Sequence, residues 1–155
     1  MLKPFALLLL TATAAGAEDA SLLAEYRTSS GSLPPQYAWS TNVTILDNGA
    51  LTLRHCKGYE TEGPACKTRR AKVPEDALAA IRAAAAESGL ATTPARETDR
   101  PMVGGGSTSG AVYIDKAKIV LPSQPAKTDV ERVGKVLAAI AAAIPPRFDR
   151  FTHPD

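Results

Sequence analysis

The side chains with the greatest chemical reach sit close together in the first half of the chain. The only two cysteines, Cys56 and Cys66, bracket a nine-residue loop that carries one aromatic side chain, Tyr59. Around them, Arg54, Lys57, Lys67, Arg69, Arg70 and Lys72 stand against Glu60 and Glu62, a net +4 between residues 54 and 72 in a chain that is otherwise slightly acidic. Two thiols separated by so short a loop suit a disulfide in an oxidising compartment; a metal site would need further ligands, and only His55 is near. Closing the loop contributes about 2.7 kcal/mol in the chain-entropy description. Tyr59, held between the cysteines, suits a binding anchor because an aromatic ring loses little entropy on docking; the alternative is that it lies back on the sheet. The cations Arg54, Lys67, Arg69 and Arg70 suit an acidic partner or other anionic ligand, or else protect an exposed strand from pairing with another edge.

Catalytic constellations are scarce. There is no G-x-S-x-G elbow and no H-E-x-x-H pair, and the run Gly104-Gly105-Gly106 lacks the lysine and hydroxyl that a phosphate-cradling loop requires. His55 falls on the inward parity of a strand, where a histidine packs and hydrogen-bonds more often than it acts as a general base. His153 lies in the tail. Asn42-Val43-Thr44 matches the glycosylation acceptor pattern but falls inside a strand-like run. No catalytic residue, cofactor or metal site is therefore assigned.

The elements that would position these groups follow from periodicity. Tyr37, Trp39, Thr41, Val43 and Ile45 alternate with smaller residues, the pattern of a half-buried strand. Asp47-Asn48-Gly49 is a hairpin signal. A three-residue loop with Gly49 left-handed pairs Ile45 with Leu51 and Val43 with Leu53, whereas a two-residue loop would set Arg54 opposite Val43. In the preferred register Leu51, Leu53 and His55 face inward, and Arg54 and Cys56 face outward, so the disulfide belongs to the outer surface. Pro74 with Glu75 and Asp76 opens a helix, Leu78, Ile81, Ala84 and Ala85 form its apolar stripe, and Gly89 ends it. Residues 111–115 and 119–121 form a second hairpin, with Ile114 opposite Ile119 and Val112 opposite Leu121. Thr128 and Glu131 have capping-box spacing, ahead of a stripe at Val130, Val133, Leu137, Ile140 and Ile144. Ser21 to Arg27 completes the set as a first strand. The expected architecture is α+β: an antiparallel sheet in the order ββββ-α-ββ-α with two helices on one face.

Residues 1–17 read as a signal peptide: Lys3, an apolar run from Phe5 to Leu10, and an A-x-A cleavage pattern at Ala15 and Ala17. The expected product is exported to the periplasm or beyond. It consists of a domain over 18–146 with a mobile loop at 92–110, and a tail at 147–155 that carries Phe148 and Phe151 and either folds back over the core or stays mobile. Removing Lys3 leaves 17 basic and 16 acidic residues, a net +1 that argues against nucleic acid as partner. No later run is apolar enough for membrane insertion.

The order of elements that includes YRTSSG, the proline-led helix VPEDALAAIRAAAAESGL, the glycine-rich loop, the strand pair and the terminal helix resembles that of emfourin-type small bacterial proteins. Those proteins inhibit thermolysin-like metalloproteases. The resemblance implies an inhibitor-like binding protein and carries no inhibitory residue across. The chain thus reads as an exported, non-catalytic binding module; the alternatives are a small secreted hydrolase acting through His55 and an envelope structural protein.

Overall fold

The computed structural model describes residues 20–59 and 65–152. The expected signal peptide, Glu60, Glu62 and His153 lie outside the described residues. Six strands, β1 (Leu22–Ser29), β2 (Trp39–Leu46), β3 (Ala50–Lys57), β4 (Ala65–Lys72), β5 (Ser107–Ile114) and β6 (Ala117–Leu121), form one antiparallel sheet in the order β4-β3-β2-β1-β5-β6. Helices α1 (Glu75–Glu87) and α2 (Val130–Ala143) pack together on one face. A 3₁₀ turn over Pro146–Phe148 and a short α3 (Asp149–Thr152) complete the described chain. The α+β class and the order of strands and main helices are as expected, and no described helix is long and apolar enough to cross a membrane.

The first hairpin adopts the expected register: Ile45 lies opposite Leu51 and Val43 opposite Leu53, with Gly49 at φ +83°. Burial follows from it. Val43, Ile45, Leu51 and Leu53 are at most 1% exposed and meet Leu78 and Ile81 of α1 in one apolar cluster that also takes in Val133, Val136 and Ile140 of α2. A bulge at Leu23 in β1 turns this side chain into the same cluster.

The second hairpin differs from expectation. Val112 lies opposite Ile119 and Ile114 opposite Ala117, because a two-residue turn at Asp115-Lys116, with φ of +49° and +67°, replaces the longer loop. Such a turn matches the twist of the flanking strands, and this outweighs the strain of two left-handed non-glycine residues. Helix α2 also departs from its expected phase: Val130 is 53% exposed and Val136 takes its place on the buried stripe. The capping box does not form, since Asp129, not Thr128, holds the N-cap position and makes no capping bond.

Asp129 works across the fold instead. Its carboxylate accepts from Arg132 Nη2 at 2.5 Å and from the Arg96 amide at 3.0 Å, while Arg132 Nη1 reaches the carbonyls of Ser88 and Thr93 at 3.2 Å. The bond from Arg132, followed by that from the Arg96 amide, holds the Asp129 carboxyl below its ordinary value. The segment before β5 is tied at several points as a result. Thr98 donates to the Gln124 carbonyl, and the Gln124 side chain both accepts from the Met102 amide and donates to its carbonyl. β5 begins at Ser107, within the stretch expected to be a loop. The glycine run has a packing role here: Gly31 has φ +72°, and a Cβ there would lie 1.6 Å from the Gly105 carbonyl oxygen, so the two loops pass backbone to backbone.

Candidate functional site

The β3–β4 hairpin builds the site. Its eight residue pairs run without a register shift from Ala50 opposite Lys72 to Lys57 opposite Ala65. Strand alternation then divides the cations. Lys67 lies opposite His55 and Arg69 opposite Leu53, on the helix-bearing face; Arg70 lies opposite Thr52 on the outer face, which Arg54 shares. The five expected binding residues are therefore not brought together. Lys67 and Arg69 form one group, Arg54 and Arg70 another. Tyr59 belongs to neither: its hydroxyl donates to the Leu33 carbonyl, and the ring borders a shallow groove of about 440 Å³ beside Trp39, Ser40 and Asn42.

Cys56 and Cys66 are directly opposite one another at disulfide distance, their Cα atoms 4.0 Å apart. Cys56 points to the outer face as expected, but that corner is not open. Gly58 donates to the Ala38 carbonyl, Tyr59 ties to Leu33, and Cys56 is only 1% exposed.

On the helix-bearing face, α1 and α2 leave the β3–β4 end to the C-terminal turn. Phe148 is buried in the core, so the described part of the tail folds back onto the domain. It brings Phe151 to 5.3 Å from the His55 ring, centroid to centroid, and Trp39 stacks 6.1 Å from that ring as well. A groove of about 540 Å³ remains between the turn and the strands, lined by Lys57, Lys67, Arg69 and Arg150 with His55 and Phe151. Two guanidinium groups approach Phe151, Arg150 at 4.8 Å and Arg69 at 5.8 Å from the ring centroid. No described carboxylate lines the groove. Four cations around an aromatic wall can hold a carboxylate, sulfate or phosphate group, with the guanidinium groups offering paired donors. Among the described residues no group of three or more His, Cys, Asp or Glu side chains could hold a metal ion.

His55 is 6% exposed and engaged within the structure. Thr41 Oγ1 donates to the Phe151 carbonyl, so it accepts from His55 Nδ1 at 2.7 Å, which fixes the Nδ1–H tautomer of the neutral ring. Burial pushes the His55 pKa below its ordinary 6.5; the Phe151 carbonyl opposes this, and Lys57 and Lys67 reinforce it. The unfolded chain therefore takes up the proton first. The contribution to stability is complete above pH 6.5 and declines as pH falls below that value toward the lower folded-state pKa. We expect urea midpoints measured between pH 7.5 and about 5 to fall with acidification, and His55→Gln to flatten the trend. An equally steep fall in the variant would assign the effect to other groups.

Arg150 and Phe151 were not among the site residues singled out in the sequence, and Lys57 was counted in the charge of its segment but not among the candidate binding residues. The parity of His55 places Lys57 and Lys67 on its own face, which was a usable signal. Nothing in the tail's pattern indicates that Phe151 would close the groove. The chain matches no protein-family model and no curated protein.

Proposed function

We propose that the chain is an exported, non-catalytic binding module that holds an anionic ligand or an acidic region of a protein at the groove between β3–β4 and the C-terminal turn. The carrying observation is the convergence of Lys57, Lys67, Arg69 and Arg150 on one groove that no described carboxylate lines. Like charges gathered on one groove cost stability by self-repulsion, which an anion relieves. The N-terminal signal pattern and the paired cysteines support export. The order of elements, similar to that of emfourin-type proteins, supports an inhibitor-like role in which the bound partner is a protein.

Titration with polyphosphate, as a probe of anion binding, tests the site. Lys67→Glu/Arg69→Glu is expected to weaken binding at least about tenfold, as follows from losing two partly screened contacts and adding repulsion, and to reduce its salt dependence. Arg70→Glu, on the other face, should have a smaller effect. Equal affinity in the wild type and the double variant would remove the groove from consideration.

A further inference from the structure

We propose that the free edge of β4 binds an extended acidic segment of a partner protein by adding it to the sheet as a seventh strand. The inference rests on the reading of this end of the domain as an anion site and commits that site to a peptide ligand. β4 is the terminal strand and is paired on one side only, against β3. Its backbone is straight enough to template another strand, with no proline and no register shift over eight residues.

The direction of its free backbone groups can be derived. The 4.0 Å separation of Cys56 and Cys66 Cα atoms is the close spacing of a non-hydrogen-bonded pair, so the amide and carbonyl of Cys66 point away from β3. Val73, seven residues on and therefore of opposite parity, donates to the Gly49 carbonyl on the β3 side, in agreement. Cys66, Thr68, Arg70 and Lys72 thus present their backbone groups to the open edge.

The side chains define what can dock there. Lys67 and Arg69 stand on one face of β4, Arg70 and Lys72 on the other, and all four are exposed. A strand laid along this edge meets cations on both of its own faces, so acidic residues opposite positions 67, 69, 70 and 72 would be matched. A second copy of β4 would set cations against cations, which excludes self-pairing and selects an acidic partner. Backbone bonds along the edge supply affinity, and the charge pattern supplies choice of partner.

The test uses the full chain with three probes: an eight-residue peptide of glutamates interspersed with valine and threonine, the same peptide with every backbone amide N-methylated, and polyphosphate. The amides of Cys66, Thr68, Arg70 and Lys72 should exchange quickly with solvent in the free protein and at least about tenfold more slowly with the first peptide, as new ladder hydrogen bonds form. The N-methylated peptide should bind at least about tenfold more weakly, since it keeps the charge and has no amide left to donate to the edge of β4. Thr68→Pro removes an edge donor without removing a bond to β3, and should weaken the peptide while leaving polyphosphate binding unchanged. Equal binding of the two peptides, unprotected edge amides, or binding of polyphosphate alone would overturn strand addition and leave the anion groove standing. Failure of both polyphosphate and peptide to bind would overturn both readings.

Discussion

Phe148→Ala should lower stability by about 3 kcal/mol and, at a temperature where the variant is still folded, weaken anion binding as well. The ring is 5% exposed within the apolar cluster, and the usual cost of truncating a buried phenylalanine is about 3–5 kcal/mol. The lower end applies because the site lies at the end of the core, where the short turn can partly collapse. Phe148 is also the anchor of that turn. Its amide donates to the Pro145 carbonyl at 2.8 Å, its ring lies 6.4 Å from that of Phe151, and the next residues carry Arg150 and Phe151 into the groove. Without the ring, the Phe151 carbonyl loses the support that holds it against Thr41, and one wall of the groove loosens. Urea unfolding and polyphosphate titration on the same variant separate the two effects. A destabilised variant that binds polyphosphate as tightly as the wild type would show that the turn does not shape the site.

What could be read in advance depended on whether local chemistry or distant packing decided the outcome. The register of Ile45 against Leu51 was legible because only one choice keeps Arg54 off the core face, and the outward parity of Cys56 followed from it. The start of α1 at Pro74 and its end at Gly89 were legible for a similar reason, since both residues restrict the backbone themselves. Asp115-Lys116 carries no glycine to announce its positive φ angles, so the second hairpin was placed two residues out. Thr128 and Glu131 have the right spacing for a capping box, but the Asp129 carboxylate is drawn to Arg132 and the Arg96 amide, a competition visible only in three dimensions. The site shows the same division. A count of charge along residues 54–72 merges cations that the pleat then sends to opposite faces. The groove exists only because Phe148 finds a place in the core and carries Arg150 and Phe151 with it, and nine residues without periodicity do not disclose where they will dock.

Ile140→Ala is expected to cost more than opening the Cys56–Cys66 pair, and to affect a different part of the molecule. Ile140 is fully buried toward the C-terminal end of α2, the helix that packs against α1 and reaches β1 and β6. Removing a branched side chain from such a position typically costs about 2–5 kcal/mol, because the transfer term is lost and the rigid surroundings cannot close the cavity. About 3–4 kcal/mol is a large share of the 5–15 kcal/mol that a domain of this size commonly has, and corresponds to a fall in Tm of about 10–15 °C. The cysteine pair, by contrast, joins residues already opposed in a continuous antiparallel ladder, so its loss acts mainly by freeing the unfolded chain, at about 2.7 kcal/mol or less. Reduction should leave the near-ultraviolet spectrum of the aromatic residues close to native, whereas Ile140→Ala should lower the urea midpoint with an unchanged m-value. The burial of Cys56 makes the comparison informative. If reduction alone collapsed the domain, the corner formed with Ala38 and Tyr59 would belong to the cooperative core, and the sheet would depend on its β3–β4 end as much as on α2.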